Sequence, residues 1–390
     1  SVLCSCAGFD SGGAINLILF IIFVIVASSA WFYLRYRMNH ATDNNHLEAT
    51  IDAEVDKFLR RGRFHGLVVG IYKDGASIIR GYGSTGKEIP AIPDATTMFQ
   101  IGSLSKLLTA SLLQALCEEG VVSMESSLGE LLGSTMPLSA AARSVTLRQL
   151  ATHTSGFPSV PKSIGLKVTE MADGDVLLDP YSYLGPQAMF DYLATTKDKR
   201  GVGRFEYSNF GMGLLGHVLE VVTGKDYESL VIDYVLAPLH MNATAITLTD
   251  EAKSRLAQGY TAEGAPTRIW TFAALGGAGA FHSNGEELLQ YIRACLDDGG
   301  MAASWFQQMR EPQFGGDTGI GWIQPTFLDR FFGNRTMVWH NGMVGGYASY
   351  LSIDAQAKTG VVILANQANA TEMLGMMLTR KVRTHLWSDK

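Results

Sequence analysis

The pattern of apolar and polar positions divides the chain into a lead segment, a hairpin, a long helical middle and a second group of strands. No charged residue lies between Asp10 and Arg35, and Ala14 to Leu34 is mostly Ile, Leu, Val, Phe and Ala. A helix needs roughly 20 apolar residues at about 1.5 Å rise each to cross a bilayer, so 14–34 is predicted to be a transmembrane helix. Trp31, Phe32 and Tyr33 stand at its end, where aromatic rings favour the lipid–water boundary, and Arg35 and Arg37 follow. A cleaved signal peptide would have a basic start and a shorter apolar core. By the charge rule, the two arginines put the globular part on the cytoplasmic or matrix-like side.

Residues 1–13 form an N-terminal tail and 35–46 a polar linker. Leu47, Ile51, Val55 and Phe58 then recur at helical spacing and predict an amphipathic helix. Leu67–Lys73, the turn pair Asp74–Gly75 and Ala76–Tyr82 read as a β-hairpin. From about 100 to 300 the pattern is mainly helical, broken by loops bearing Gly and Pro. Strand patterns return at Thr336–His340, Tyr347–Asp354 and Val361–Asn366, and a last helix is predicted over about 371–386. Strands at both ends with helices between them imply one sheet completed by distant segments. The expected fold is α+β, a sheet with an inserted helical subdomain, occupying 47–390 as one domain.

The bulk numbers remove some functions. Of 390 residues, 47% are hydrophobic and 17% charged, which suits a sizeable core. A formal charge of −6 without a run of Lys or Arg provides no basic footprint for nucleic acid. Four cysteines are too few for a disulfide scaffold, and Cys117 and Cys295 fall in apolar helical patterns as small hydrophobes. No His/Cys/Asp cluster has zinc-ligand spacing, so neither a metal nor a cofactor is expected.

Three short motifs carry candidate chemistry. Gly102–Ser103–Leu104–Ser105–Lys106 opens the apolar helix Leu107–Cys117, and positions three apart share a helix face. A serine hydroxyl needs a base, and a lysine can supply one when burial disfavours its charged form. The same spacing recurs at Ser84–Lys87 and Ser159–Lys162. The first lies among glycines and the second between Pro158 and Pro161, so neither favours a helix. Tyr207–Ser208–Asn209 precedes the helix Gly211–Val222. Its tyrosine can pass protons and its amide can hold a carbonyl. His340–Asn341–Gly342 ends a predicted strand, where backbone N–H groups can face an oxyanion and Gly permits close approach.

Together these motifs resemble the serine β-lactamase and penicillin-binding-protein superfamily, most closely its class C β-lactamase, esterase and D-aminopeptidase branch. The resemblance covers about 47–386, with support from Leu150–Gly156 (LATHTSG), Gly276–Ser283 (GGAGAFHS) and Gly319–Trp322 (GIGW). It implies an antiparallel sheet flanked by helices. It also implies that Ser103 is acylated, that Lys106 and Tyr207 move protons, and that Asn209 contacts the substrate. The oxyanion donors would be the backbone N–H groups of Ser103 and Met343, with His340 and Gly342 beside them. The third motif departs from the Lys-Thr-Gly of β-lactamases. A histidine is mostly neutral near pH 7, so a substrate carboxylate loses its fixed positive partner. The expected substrate is therefore an ester or short amide rather than a β-lactam.

The expected function is a membrane-anchored serine hydrolase, bound to the bilayer through 14–34 in a mitochondrial inner or bacterial plasma membrane. The alternative is an accessory subunit of a membrane protein complex with little turnover. His153 is read as structural and Glu206 as pointing away from the site. The segment Phe157–Gly203 is expected to wall the cleft.

Overall fold

The computed structural model describes residues 44–62, 64–88, 90–161, 179–182, 184–197, 201–331 and 333–384. The predicted span 14–34 lies outside them; among the described residues no helix is long and apolar enough to cross a membrane. The first described element is helix α1, Asn44–Leu59. Its apolar stripe Leu47, Ile51, Val55 and Phe58 is buried throughout, as the helical spacing requires.

Strand β1 (Gly66–Lys73) and β2 (Ala76–Gly83) form the predicted hairpin, pairing Lys73 with Ala76. Both turn residues have positive φ, 46° at Asp74 and 92° at Gly75, which matches the right-handed twist of the strands it joins. The helix carrying the first motif is α2, Ser105–Glu118, preceded by a tight turn over Gly102–Leu104. The second motif leads into α4, Asn209–Thr223, after a short helix α3, Leu147–Ala151. A four-residue turn of helix α5, Gly276–Gly279, and α6, Gly285–Leu296, complete the parts of the insertion that bear on the site.

A short helix α7, Phe327–Phe331, precedes three closing strands: β3 (Met337–Val344), β4 (Tyr347–Asp354) and β5 (Thr359–Ala365). Helix α8, Glu372–Thr384, follows them. The sheet is antiparallel in the order β2-β1-β5-β4-β3, so the N-terminal hairpin pairs with the last strand. The α+β architecture read from the chain is the one observed. One boundary differs: His340–Asn341–Gly342 does not end a strand but lies within β3, which runs on to pair Val344 with Tyr347. Asn341 and Gly342 break the apolar pattern, yet the tight turn through Gly345–Gly346 keeps both residues in the ladder.

The strands alternate between two cores, since successive side chains point to opposite faces. Leu67, Val69 and Ile71 face outward to α1 and α8, together with Val361, Ile363, Leu374 and Leu378. Val68, Leu351, Val362 and Leu364 face inward to the helical insertion. Gly70 and Gly360 let α6 settle close to the inner face. An added Cβ would lie 3.0 Å from Leu289 at the first and 2.4 Å from Ile292 at the second.

Candidate active site

Ser103 sits in the tight turn that enters α2, and Lys106 one turn further on. Gly102 has φ +53°, a conformation that L side chains rarely adopt, and it aims the next residue out of the turn. Lys106 is fully buried, whereas Ser103 is half-buried and can be reached. The Lys106 Nζ lies 2.8 Å from Ser103 Oγ, 2.8 Å from Asn209 Oδ1 and 2.6 Å from the carbonyl oxygen of Ala278. All three partners are uncharged. Burial without a compensating carboxylate holds the Lys106 pKa well below the ordinary lysine value.

That set of contacts determines what the amine can do. In its neutral form it donates two N–H bonds, which Asn209 and Ala278 accept, and its lone pair is left for the Ser103 hydroxyl proton. Tyr207 stands on the other side. Its ring centroid is 5.1 Å from Lys106 Nζ, and burial raises its pKa, so the phenol keeps its proton. A neutral amine beside a protonated phenol is the pairing expected of a base next to an acid.

Asn209 is the first residue of α4. Ser208 caps that helix, its Oγ accepting from Gly211 N–H at 2.8 Å and donating to Pro158 O at 2.8 Å. The Asn209 amide is held on both sides, since its Nδ2 donates to Tyr181 Oη at 3.0 Å. Tyr181 belongs to the segment Phe157–Gly203 and stacks on Phe272 at 4.9 Å. Within that segment, residues 162–178, 183 and 198–200 lie outside the described residues.

The third motif is placed by its neighbours. An added Cβ on Gly342 would meet Ile101 O at 2.2 Å, Ser349 Oγ at 2.4 Å and Ser103 N at 2.9 Å, so only glycine lets β3 approach the Ser103 turn. The reciprocal contact is Gly102 against Met343 N, at 3.0 Å from an added Cβ. The backbone N–H groups of Ser103 and Met343 are thereby brought to one place, while the Met343 side chain is exposed. His340 is fully buried, with its ring 6.1 Å from that of Tyr207. Its Nδ1 donates to Asn341 O at 2.6 Å, leaving Nε2 as an acceptor. Burial pushes its pKa down to about 3. Asn341 points the other way, to Glu372 on α8, so the middle position of this motif does not face Ser103.

Sequence reasoning missed one contributor and read another as structural, as it is. The Ala278 carbonyl comes from a stretch of small residues in α5; at Gly277 an added Cβ would sit 2.7 Å from Met212 O. The glycine run was a signal of close approach, but a backbone carbonyl has no side-chain signature. His153 accepts from Ser208 N–H at 3.1 Å, and its ring lies 4.5 Å from that of Tyr207, so it props the second motif. The decoy pair Ser84 and Lys87 bonds elsewhere, to the carbonyls of Gly86 and Gly264. Glu206 is exposed. Among the described residues no group of His, Cys, Asp and Glu could hold a metal ion.

The β-lactamase family model matches residues 51–382. Protein Flp of Staphylococcus aureus (strain MW2) is 24% identical over 334 residues, 83% of this chain and 64% of that protein. The chain thus spans less than two thirds of that relative's length. The D-alanyl-D-alanine-carboxypeptidase/endopeptidase AmpH of Escherichia coli (strain K12) is 24% identical over 345 residues, 84% of this chain and 86% of that one. A solved β-lactamase/D-alanine carboxypeptidase from Pseudomonas syringae superposes with a TM-score of 0.73 at 21% identity, covering 86% of this chain and 98% of that chain.

Proposed function

Because the chain belongs to the β-lactamase family, we propose that it is a serine hydrolase that forms an acyl-enzyme on Ser103. The observation that carries this reading is the buried Lys106 amine, 2.8 Å from Ser103 Oγ, with Asn209 Oδ1 and Ala278 O as its other partners. In the neutral form two N–H groups serve those acceptors and the lone pair is left for the Ser103 proton. Lys106 takes the hydroxyl proton as Ser103 Oγ attacks the substrate carbonyl. The N–H groups of Ser103 and Met343 receive the developing oxyanion. Tyr207, protonated at rest, passes a proton to the leaving group, and water then releases the acyl group from Ser103 by the reverse sequence.

His340 bears on the substrate. A neutral ring with a free acceptor nitrogen provides no positive charge for a carboxylate, which favours an uncharged ester or short amide over a β-lactam. The uncharged, largely apolar run 14–34 supports a membrane anchor, in a mitochondrial inner or bacterial plasma membrane. The test is intact mass after treatment with a serine-directed phosphonate, wild type beside Ser103→Ala. One adduct on wild type, absent from the variant, is expected. A folded wild type that takes no adduct would overturn the reading in favour of an accessory subunit of a membrane complex.

A further inference from the structure

Exposed apolar side chains collect at one end of the domain. On α7, Phe327 is 79% exposed, Leu328 51% and Phe331 48%, and the two phenylalanine rings stack at 6.3 Å. This is not a slack loop. Asp329 is buried and accepts from Thr326 N–H at 2.8 Å and Thr326 Oγ1 at 2.6 Å, while Asn334 N–H donates to Asp329 O at 2.8 Å. The element is thus capped at Thr326 and tied back at Asn334 with its apolar side chains outward, although leaving such side chains in water costs about 25 cal/mol per Å² of apolar surface. Arg330 and Arg335 flank them and are exposed.

The position of α7 matters. Arg383, in the last turn of α8, donates to Gly333 O and pairs with Asp354 at 3.0 Å. Asp354 pairs with Thr359, Thr359 with Lys73, and Lys73 with Ala76, which together define one end of the sheet. Helix α1 starts towards this same end. Glu48 pairs with Arg80 on β2 and Asp52 bonds Tyr82, so tracing α1 back to Asn44 leads to the β1–β2 turn. Residues 35–43 join Asn44 to the apolar run 14–34, and fully extended they reach about 30 Å. A membrane crossed by that run would therefore lie within about 30 Å of the end of the domain where α7 is displayed.

We propose that α7 is a membrane-contact element: Phe327 and Leu328 enter the interface of the bilayer, and Arg330 and Arg335 meet its anionic headgroups. Apolar side chains on one side of a short element, bordered by arginines, match the chemistry of interfacial binding. The inference rests on reading 14–34 as a membrane anchor. Gly342 and Met343 lie at the opposite end of β3 from this surface, so the docked domain holds its serine away from the lipid.

The full chain reconstituted in vesicles of zwitterionic and anionic phospholipids with brominated acyl chains tests the proposal. Leu328→Trp is compared with Ile92→Trp, each in a Trp31→Phe background. Ile92 is 71% exposed and lies beside Gly81, towards the other end of β2. The bromines are expected to quench the fluorescence added by Leu328→Trp at least twofold more than that added by Ile92→Trp. Further substitution Arg330→Glu with Arg335→Glu is expected to remove the excess. Equal quenching in a chain that resists alkaline extraction would overturn the contact element and leave the anchor standing. A chain that alkali extracts would overturn the anchor and the inference with it.

Discussion

The two faces of the sheet solve different problems with the same strands. The outer face, under α1 and α8, is packed mainly from aliphatic and aromatic side chains, and the hydroxyls of Ser352 and Thr379 bond each other there at 2.7 Å. The inner side carries a buried amine whose partners are neutral, and two buried histidines, His153 and His340, whose Nε2 atoms have no partner among the described residues. Burying a charge without a counter-charge is costly, so the inner arrangement favours the neutral amine. One face contributes stability. The other spends some of it on holding Lys106 ready to accept a proton.

Substitutions on each face sharpen this contrast. Lys106→Met is expected to slow acylation by about 10²–10⁴-fold, the range of a general base, measured as the rate of phosphonate adduct formation. For wild type the same rate falls as pH drops through the lowered Lys106 pKa, because the protonated amine has no lone pair. Leu378→Ala on the outer face is expected to lower unfolding free energy by about 2–5 kcal/mol in a denaturant titration and leave the adduct rate of the folded fraction unchanged. A loss of adduct rate there would break the separation of the two faces.

A change confined to acid pH is expected as a slope. His340 keeps its proton off in the folded chain down to about 3, against 6.5 for the free group. Between those values the unfolded chain binds the proton and the folded chain does not, so stability falls as pH drops from 6.5 towards 3. Burial lowers the His153 pKa in the same direction. His340→Gln is expected to flatten part of the fall in denaturation midpoint with pH. An unchanged slope would place the acid sensitivity elsewhere.

What was legible in the chain follows from which groups leave a mark there. The hairpin was plain because Asp74–Gly75 sits between two apolar runs, and α1 because four apolar residues share one stripe. Ser103 and Lys106 were visible as a helical pair, and the structure brings Asn209 and Tyr207 to them. Ala278 was not visible, since its part is played by a carbonyl that every residue has. His340 looked like a strand end because Asn341 and Gly342 interrupt the apolar pattern. Tyr181 lies in a loop-rich segment, where no periodicity marks the one ring that meets Asn209.

The pairing of the first hairpin with the last strand has a consequence for synthesis. Gly66 N–H donates to Asn366 Oδ1, a bond spanning 300 residues. At about 5–20 residues per second, β1 would leave the ribosome about 15–60 s before β5 exists to cover its edge. During that interval the apolar run Leu67–Ile71 has one strand neighbour instead of two, and an unpaired edge of that kind invites pairing with other chains. The length of that interval follows from the strand order alone and is independent of the stability of the finished fold.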